Sequence, residues 1–258
     1  MNVPRACDRS PGNSPSISRT PPGYLSFLNS PSNFSPLRLE KDDLKDFPPR
    51  TLGNLLLSSC PGKKVRLTGP IRGRGAICRD LYSDLRRIKD SNVGCIICCL
   101  DDDELEFLGA GWAEYAHAAK QVGIPVYRIP MPEGLTPLSL PTFNCQLDTL
   151  IQNYTIRGKT MLVHCRGGVG RAGLVACCWM LKLGLCGWLP DNDPCKGDMP
   201  EGQVRKGTLE LVEKAILVVR RRRSVKAIET YEQVRFLVDY VEFLRHVGGQ
   251  GGRKSLSL

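Results

Sequence analysis

The stretch from Val163 to Gly173 reads VHCRGGVGRAG. An apolar run ends in His164 and Cys165, and four glycines then fall within seven residues around Arg171. Cys165 and Arg171 stand six positions apart with few side chains between them. A strand that stops at a cysteine and turns through glycines into a helix beginning near Gly170 aims consecutive backbone N–H groups into one small bowl. Such a bowl suits a phosphate-sized anion. Gly167, Gly168 and Gly170 permit the tight curvature and positive φ that side chains would obstruct. Arg171 offers a planar fork matched to two phosphate oxygens. The N–H groups, the helix N-terminus and Arg171 all favour Cys165 as thiolate, and a thiolate facing the phosphorus of a phosphoester is a nucleophile for phosphoryl transfer. A junction that merely needed glycines would explain neither His164 nor the cysteine–arginine spacing.

The elements that would position this loop can be read around it. KTMLVHC is a strand running directly into the bowl, and GCIICCL and IPVYRIPM read as two more strands. Between them, ELEFLGAGWAEYAHAAKQVG has helical spacing with a glycine stop, and LPTFNCQLDTLIQNYTIRG is helical again. A helix is predicted from about Gly170 to Leu185, and two more over about Lys206 to Arg220 and Ser224 to His246. Strands alternating with helices of this length imply an α/β fold with a mostly parallel central sheet flanked by helices. Residues 1–45 are rich in Ser, Pro and Asn and read as a disordered segment. A catalytic domain is assigned to 46–248, with a polar loop insertion near 187–205 and a flexible tail over 249–258. Five Ser-Pro or Thr-Pro pairs, at Ser10, Ser14, Thr20, Ser30 and Ser35, make the N-terminal segment a candidate for proline-directed phosphorylation.

Composition narrows the function classes. The 258 residues carry a formal net charge of +10, which favours phosphorylated or polyanionic partners. No zinc-finger spacing, RNP-type segment or basic zipper supports nucleic acid as the partner. Twelve cysteines suggest metal or disulfides. Yet Cys95 and Cys98 would face opposite sides of a strand, only three histidines could help complete a zinc site, and no apolar leader follows the first residue. Buried free thiols in a reducing compartment are the expected state, with the protein cytoplasmic or nuclear. The apolar region Ala172 to Leu189 is broken by Lys182 and glycines, so a buried helix is expected there and no membrane span. The RRRR run from Arg220 to Arg223 reads as a solvated helix end, or as a docking patch for an acidic or phosphorylated partner.

HCRGGVGRAG resembles the signature loop of the cysteine-dependent protein phosphatases, the tyrosine and dual-specificity superfamily. LLLSSCPGKKV, CRDLYSDLRRIKDSNVGCIICCL, RIPMPEGLTP and SVKAIETYEQVRFL follow in the same order as similar segments of kinase-associated phosphatases, which act on the activation-loop phosphothreonine of cyclin-dependent kinases. The resemblance implies a phosphoprotein substrate, a cyclin-dependent kinase among the candidates. It implies Cys165 as the nucleophile that becomes a phosphocysteine and Arg171 as the phosphate clamp. The phosphate loop would comprise His164, Arg166, Gly167, Gly168, Val169, Gly170 and Ala172, with His164 fixing the cysteine. No metal or cofactor is implied. Gln233 matches a glutamine that orients water in relatives.

Two departures stand out. The family normally supplies an aspartate as general acid on the loop after the second strand, where this sequence has MPEGLTP. Glu106 and Glu114 fall in the helical region, so Glu133 is the candidate acid. Ala172 replaces the usual Ser or Thr after the arginine, and slow turnover of the phosphoenzyme is expected. An Asn-Arg-Tyr phosphotyrosine loop is missing, which favours a shallow, dual-specificity pocket. Arg166 resembles a residue of phosphoinositide phosphatases, whose second loop lysine is replaced by Val169. The alternatives are therefore a phosphoinositide phosphatase and a low-turnover phosphoprotein-binding pseudophosphatase.

Overall fold

The computed structural model describes residues 25–26, 51–71, 73–187 and 204–251. The Ser/Pro-rich segment apart from Leu25 and Ser26, most of the loop insertion and the end of the glycine-rich tail lie outside the described residues, and so do all five Ser-Pro and Thr-Pro sites.

The core strands are five or six residues long and built largely of apolar side chains. β2 (Leu55–Ser59), β5 (Val93–Cys98) and β7 (Thr160–Cys165) are buried along almost their whole length, the pattern of strands covered on both faces. Together with β6 (Val126–Arg128) and the two-residue β1 (Leu25–Ser26) they form a five-stranded sheet of order β1-β2-β7-β5-β6. β2, β7, β5 and β6 are parallel, and β1 joins the edge antiparallel. β7 is thus central: His164 lies in register with Ser58 on one side and Cys98 on the other, and Cys165 with Ser59. A separate hairpin of β3 (Lys64–Val65) and β4 (Ile77–Cys78) projects after β2. The expected α/β class with a parallel sheet is the observed one. β2 and the hairpin were not among the strands read from the sequence.

Seven α-helices are present among the described residues. α1 (Leu81–Asp90) packs on β5 and on α3 (Trp112–Val122). α5 (Arg171–Lys182) packs on β7 and β2 and is covered in turn by α6 (Lys206–Arg222) and α7 (Tyr231–Gly251). Residues Arg171 to Leu181 are all buried, matching the reading of Ala172 onward as a buried helix. Cys177 and Cys178 on α5, with Cys95, Cys98 and Cys99 around β5, are buried free thiols. Burial pushes Cys95 and Cys98 up to about 11, so they serve as small hydrophobes.

Helix boundaries differ from the sequence reading: α5 stops at Lys182 and not at Leu185, α7 runs on to Gly251 past His246, and three further differences have a visible cause. The helix expected from Glu104 to Gly123 is two: α2 (Asp102–Phe107) and α3. Gly109 adopts φ 69°, and the amides of Gly109 and Ala110 return to the carbonyls of Glu106 and Leu105, a left-handed glycine stop. α4 (Leu140–Leu150) widens into a π-helical turn over Ile151–Thr155. There Thr155 accepts a 3.0 Å hydrogen bond from the buried Trp179 indole of α5. α7 begins at Tyr231 and not near Ser224, because Thr230 Oγ1 caps it by accepting from the Gln233 amide at 3.3 Å.

Candidate active site

The loop after β7 leaves the carboxyl end of the central strand, where open parallel sheets place their ligands. Cys165 is 4% exposed, and its Sγ accepts a hydrogen bond from the Gly168 amide at 3.2 Å. Of the loop glycines, only Gly168 has positive φ, 71°. A Cβ there would lie 2.3 Å from the Ser58 carbonyl, so glycine is required both by its conformation and by the close approach of the loop to β2. Gly170 opens α5 without a side-chain cap.

For its amides to face inward, the loop must turn its carbonyls outward, and those carbonyls are bonded. Lys63 Nζ donates to the Arg166 carbonyl at 3.0 Å. Arg223 spreads its guanidinium over two consecutive carbonyls, with Nε donating to Gly168 and Nη2 to Gly167, each at 2.9 Å. Burial works against the Arg223 charge and the Cys165 sulfur supports it, so this cation lies within electrostatic reach of the candidate nucleophile. Arg220 likewise turns inward, its Nε bonding the Ala227 carbonyl at 3.0 Å. The arginine run at the end of α6 is therefore only partly a solvated helix end.

Arg171 is held before any ligand arrives. Its Nη1 and Nη2 meet the two carboxylate oxygens of Glu104, with Nη2 to Oε1 at 2.7 Å, and Nη1 also donates to the Met131 carbonyl at 2.8 Å. Of the five N–H groups of a guanidinium, three are thus committed. The Nε–H and the second Nη2 hydrogen make no hydrogen bond among the described residues, and together they form the side-on fork that matches two oxygens of a phosphate. Glu104 was overlooked in the sequence reading, which weighed Glu106 and Glu114.

The other predicted residues are placed unequally. A cleft of about 880 Å³ is lined by Cys165, Arg166, Gly167, Val169, Gly170 and Arg171 of the loop and by Glu133. His164 and Ala172 are fully buried beneath it. The His164 ring meets the Tyr115 hydroxyl at Nε2, 3.1 Å away. Burial pushes its pKa down to about 3, so the ring is neutral. Its Nδ1 has no hydrogen-bond partner among the described residues. Glu133 accepts two hydrogen bonds from Arg166 Nη1, at 2.9 and 3.2 Å, and is 62% exposed. Gln233 is completely buried, its Oε1 accepts from the Glu229 amide at 2.9 Å, and its Nε2 has no hydrogen-bond partner among the described residues. That Nε2 lies 3.2 Å from where a Cβ on Gly170 would be, so an uncommitted donor is turned toward the loop.

Among the described residues no group of three or more His, Cys, Asp or Glu is arranged to hold a metal, and no helix is long and apolar enough to cross a membrane.

The family model of the DSP-PTPase phosphatase domain, the PTP-SAK or Swiss Army Knife protein, matches residues 77–237. The chain belongs to the DSP-PTPase phosphatase family. No curated protein sequence matches it significantly. Among solved structures, kinase associated phosphatase with its catalytic-site cysteine changed to serine is 24% identical. That match covers 74% of this chain and 88% of the other, with a TM-score of 0.53. PTPMT1 is 18% identical over 76% of this chain and 94% of the other, with a TM-score of 0.49. As a cysteine-dependent phosphatase of the tyrosine and dual-specificity type, this DSP-PTPase domain carries the family loop with its carbonyls braced from outside by Lys63 and Arg223.

That bracing is testable through oxyanion binding. Arg223→Gln is expected to weaken vanadate binding and lower kcat/KM by about tenfold or more, the scale of one or two charge-assisted hydrogen bonds. Arg223→Lys, which keeps the charge and one bond, should recover part of each. Titration of vanadate into both variants decides it: an unchanged Kd in Arg223→Gln would show that the loop holds its own shape.

Proposed function

We propose that this chain is a protein phosphatase that hydrolyses phosphotyrosine and phosphoserine or phosphothreonine through a phosphocysteine intermediate. The observation that carries the reading is the Cys165 sulfur seated under the Gly168 amide at the floor of a cleft into which Arg171 offers its uncommitted fork. In the proposed first step, Cys165 thiolate attacks phosphorus while the ester oxygen leaves. The loop amides and Arg171 hold the three non-bridging oxygens as negative charge builds on them, and the departing oxygen takes a proton from a carboxyl group. In the second step water attacks phosphorus and gives a proton to the carboxylate left by the first step, the phosphorus–sulfur bond breaks, inorganic phosphate leaves, and the Cys165 thiolate and the carboxyl acid are both regenerated. Glu104 acts through Arg171, keeping the guanidinium oriented.

Glu133 is the proposed acid. In the ligand-free geometry both its oxygens accept from Arg166, so proton donation requires the MPEGLTP loop to swing Glu133 off Arg166 when substrate binds. Glu229 is the other carboxylate lining the cleft. Gln233 is proposed to orient the attacking water through its free Nε2. Assignment to a cyclin-dependent kinase substrate rests on the ordered segments shared with kinase-associated phosphatases. The lipid alternative rests on Arg166, whose guanidinium is engaged by Glu133.

Cys165→Ser should abolish hydrolysis of phosphopeptides while vanadate still binds, because the bowl and Arg171 remain. Retained activity in that variant would remove the mechanism. Glu133→Gln should slow esters with poor leaving groups by roughly 10²-fold and aryl esters much less; an equal effect on both would transfer the role to another group, Glu229 first. Ala172→Ser would place a hydroxyl in the first turn of α5, where it can donate to the departing thiolate. A charge-assisted bond of about 1.5–3 kcal/mol predicts turnover at least several-fold faster if phosphoenzyme breakdown is limiting. Rapid quench should then show a burst in the wild type and a smaller one in the variant.

A further inference from the structure

Beyond the loop, the cleft carries more positive charge than one phosphate needs. Seven of its lining side chains are cationic, against the two carboxylates Glu133 and Glu229. Arg171 is answered by Glu104, Arg166 by Glu133, and Lys63 is engaged by the Arg166 carbonyl. Of those that remain, Lys64, Arg66 and Arg74 come from the β3–β4 hairpin and its connecting loop, which together wall one side of the cleft. Among the described residues no carboxylate forms an ion pair with any of them. Asp80 senses Lys64 only as the weakest of its influences, after its bonds to Ser83. Arg66 gives Nε to the Gly75 carbonyl at 2.8 Å, which leaves its Nη groups for a ligand.

The wall is also anchored. The Lys64 amide bonds the Leu108 carbonyl at 2.8 Å, and its side-chain stem lies so close over Gly109 that a Cβ there would meet Lys64 Cδ at 3.0 Å. Fixed like charges without counter-charge repel one another, and an incoming anion relieves that cost while its approach is accelerated by their field.

We propose that the hairpin wall is a second anion subsite, and that the preferred substrate is a protein segment bearing a second phosphate or a carboxylate beside the phosphorylated residue. This rests on the protein phosphatase reading above. Leu67 and Ile71, 60% and 57% exposed on the same hairpin, interleave apolar surface with the cations in the manner that suits side chains of an extended peptide. The charge is also unevenly distributed. Glu133 and Glu229 belong to two other elements of the rim, and an anionic bilayer laid across the mouth would have to face them. A peptide can direct its second anion to the hairpin alone.

The test compares kcat/KM of the full chain on three versions of one phosphopeptide: neutral flanks, a second phosphoresidue nearby, and glutamate at that place. A short-chain soluble phosphatidylinositol bisphosphate is the fourth substrate. The second phosphate is expected to raise kcat/KM by about tenfold or more at low salt, chiefly through KM, with the advantage shrinking at high salt. In Lys64→Glu and Arg74→Glu, the ratio of doubly to singly phosphorylated peptide should fall toward one. If the wild type cleaves all peptides equally, or both variants keep the ratio, the subsite is refuted and the protein phosphatase reading stands. If no peptide is cleaved while the lipid is, both are overturned.

Discussion

A phosphate-binding loop has to solve a problem of backbone orientation. Amides can converge on an anion only if their carbonyls diverge, and a carbonyl turned out of a buried loop needs a donor. Here the donors are cations that the chain brings from far away in sequence: Lys63 from the segment after β2 and Arg223 from the end of α6. The contact of Gly168 with the Ser58 carbonyl then fixes the loop on the sheet. The packing of α6 on α5 and the course of the chain after β2 bring these two side chains to the loop. Their charges assist twice, by holding the loop and by adding to the positive field into which a phosphoester must enter.

Arg171 shows the same economy. A buried guanidinium that waited unpaired for its ligand would be costly. Glu104 removes that cost while leaving the side-on edge free, so the ligand-free site is already arranged. This compensation is local and directional: the carboxylate neutralises charge without occupying the side-on donors proposed to hold the phosphate. Glu133 and Arg166 at the exposed rim make a weaker pair, which is compatible with the loop movement proposed for Glu133.

The parts of the site that lie within a few consecutive residues could be read from the sequence. Cys165, Gly168 and Arg171 sit on one strand–turn–helix, where spacing alone dictates convergence. Parts assembled across the fold could not be read in that way. Glu104 is 67 positions from Arg171 and sits in an acidic run, DDDELE, whose members look equivalent until α2 is placed. Arg223 stands in a run of four arginines, and composition cannot say which of them turn inward. The helix boundaries failed for more local reasons. The glycines after Phe107 were read as helix interior although Gly109 is a left-handed stop, and the Thr230–Gln233 cap, a Thr-x-x-Gln pattern visible in the text, was absorbed into one long helix. β2 was missed because its apolar run is only three leucines long, and its membership depends on β7 lying beside it.

The bond from α6 to the phosphate loop also has a thermodynamic side. A residue that belongs to one helix yet completes the hydrogen bonding of a distant loop makes the order of each conditional on the other. Any oxyanion that stabilises the loop must therefore favour, by the same free energy, the conformations in which the α6–α7 junction is intact. Amide protons near Ala227 and Ile228, which accept the Arg220 bonds from the same turn of helix, lie in that junction. Occupancy of the cleft is thus legible as slowed hydrogen exchange across the α6–α7 junction.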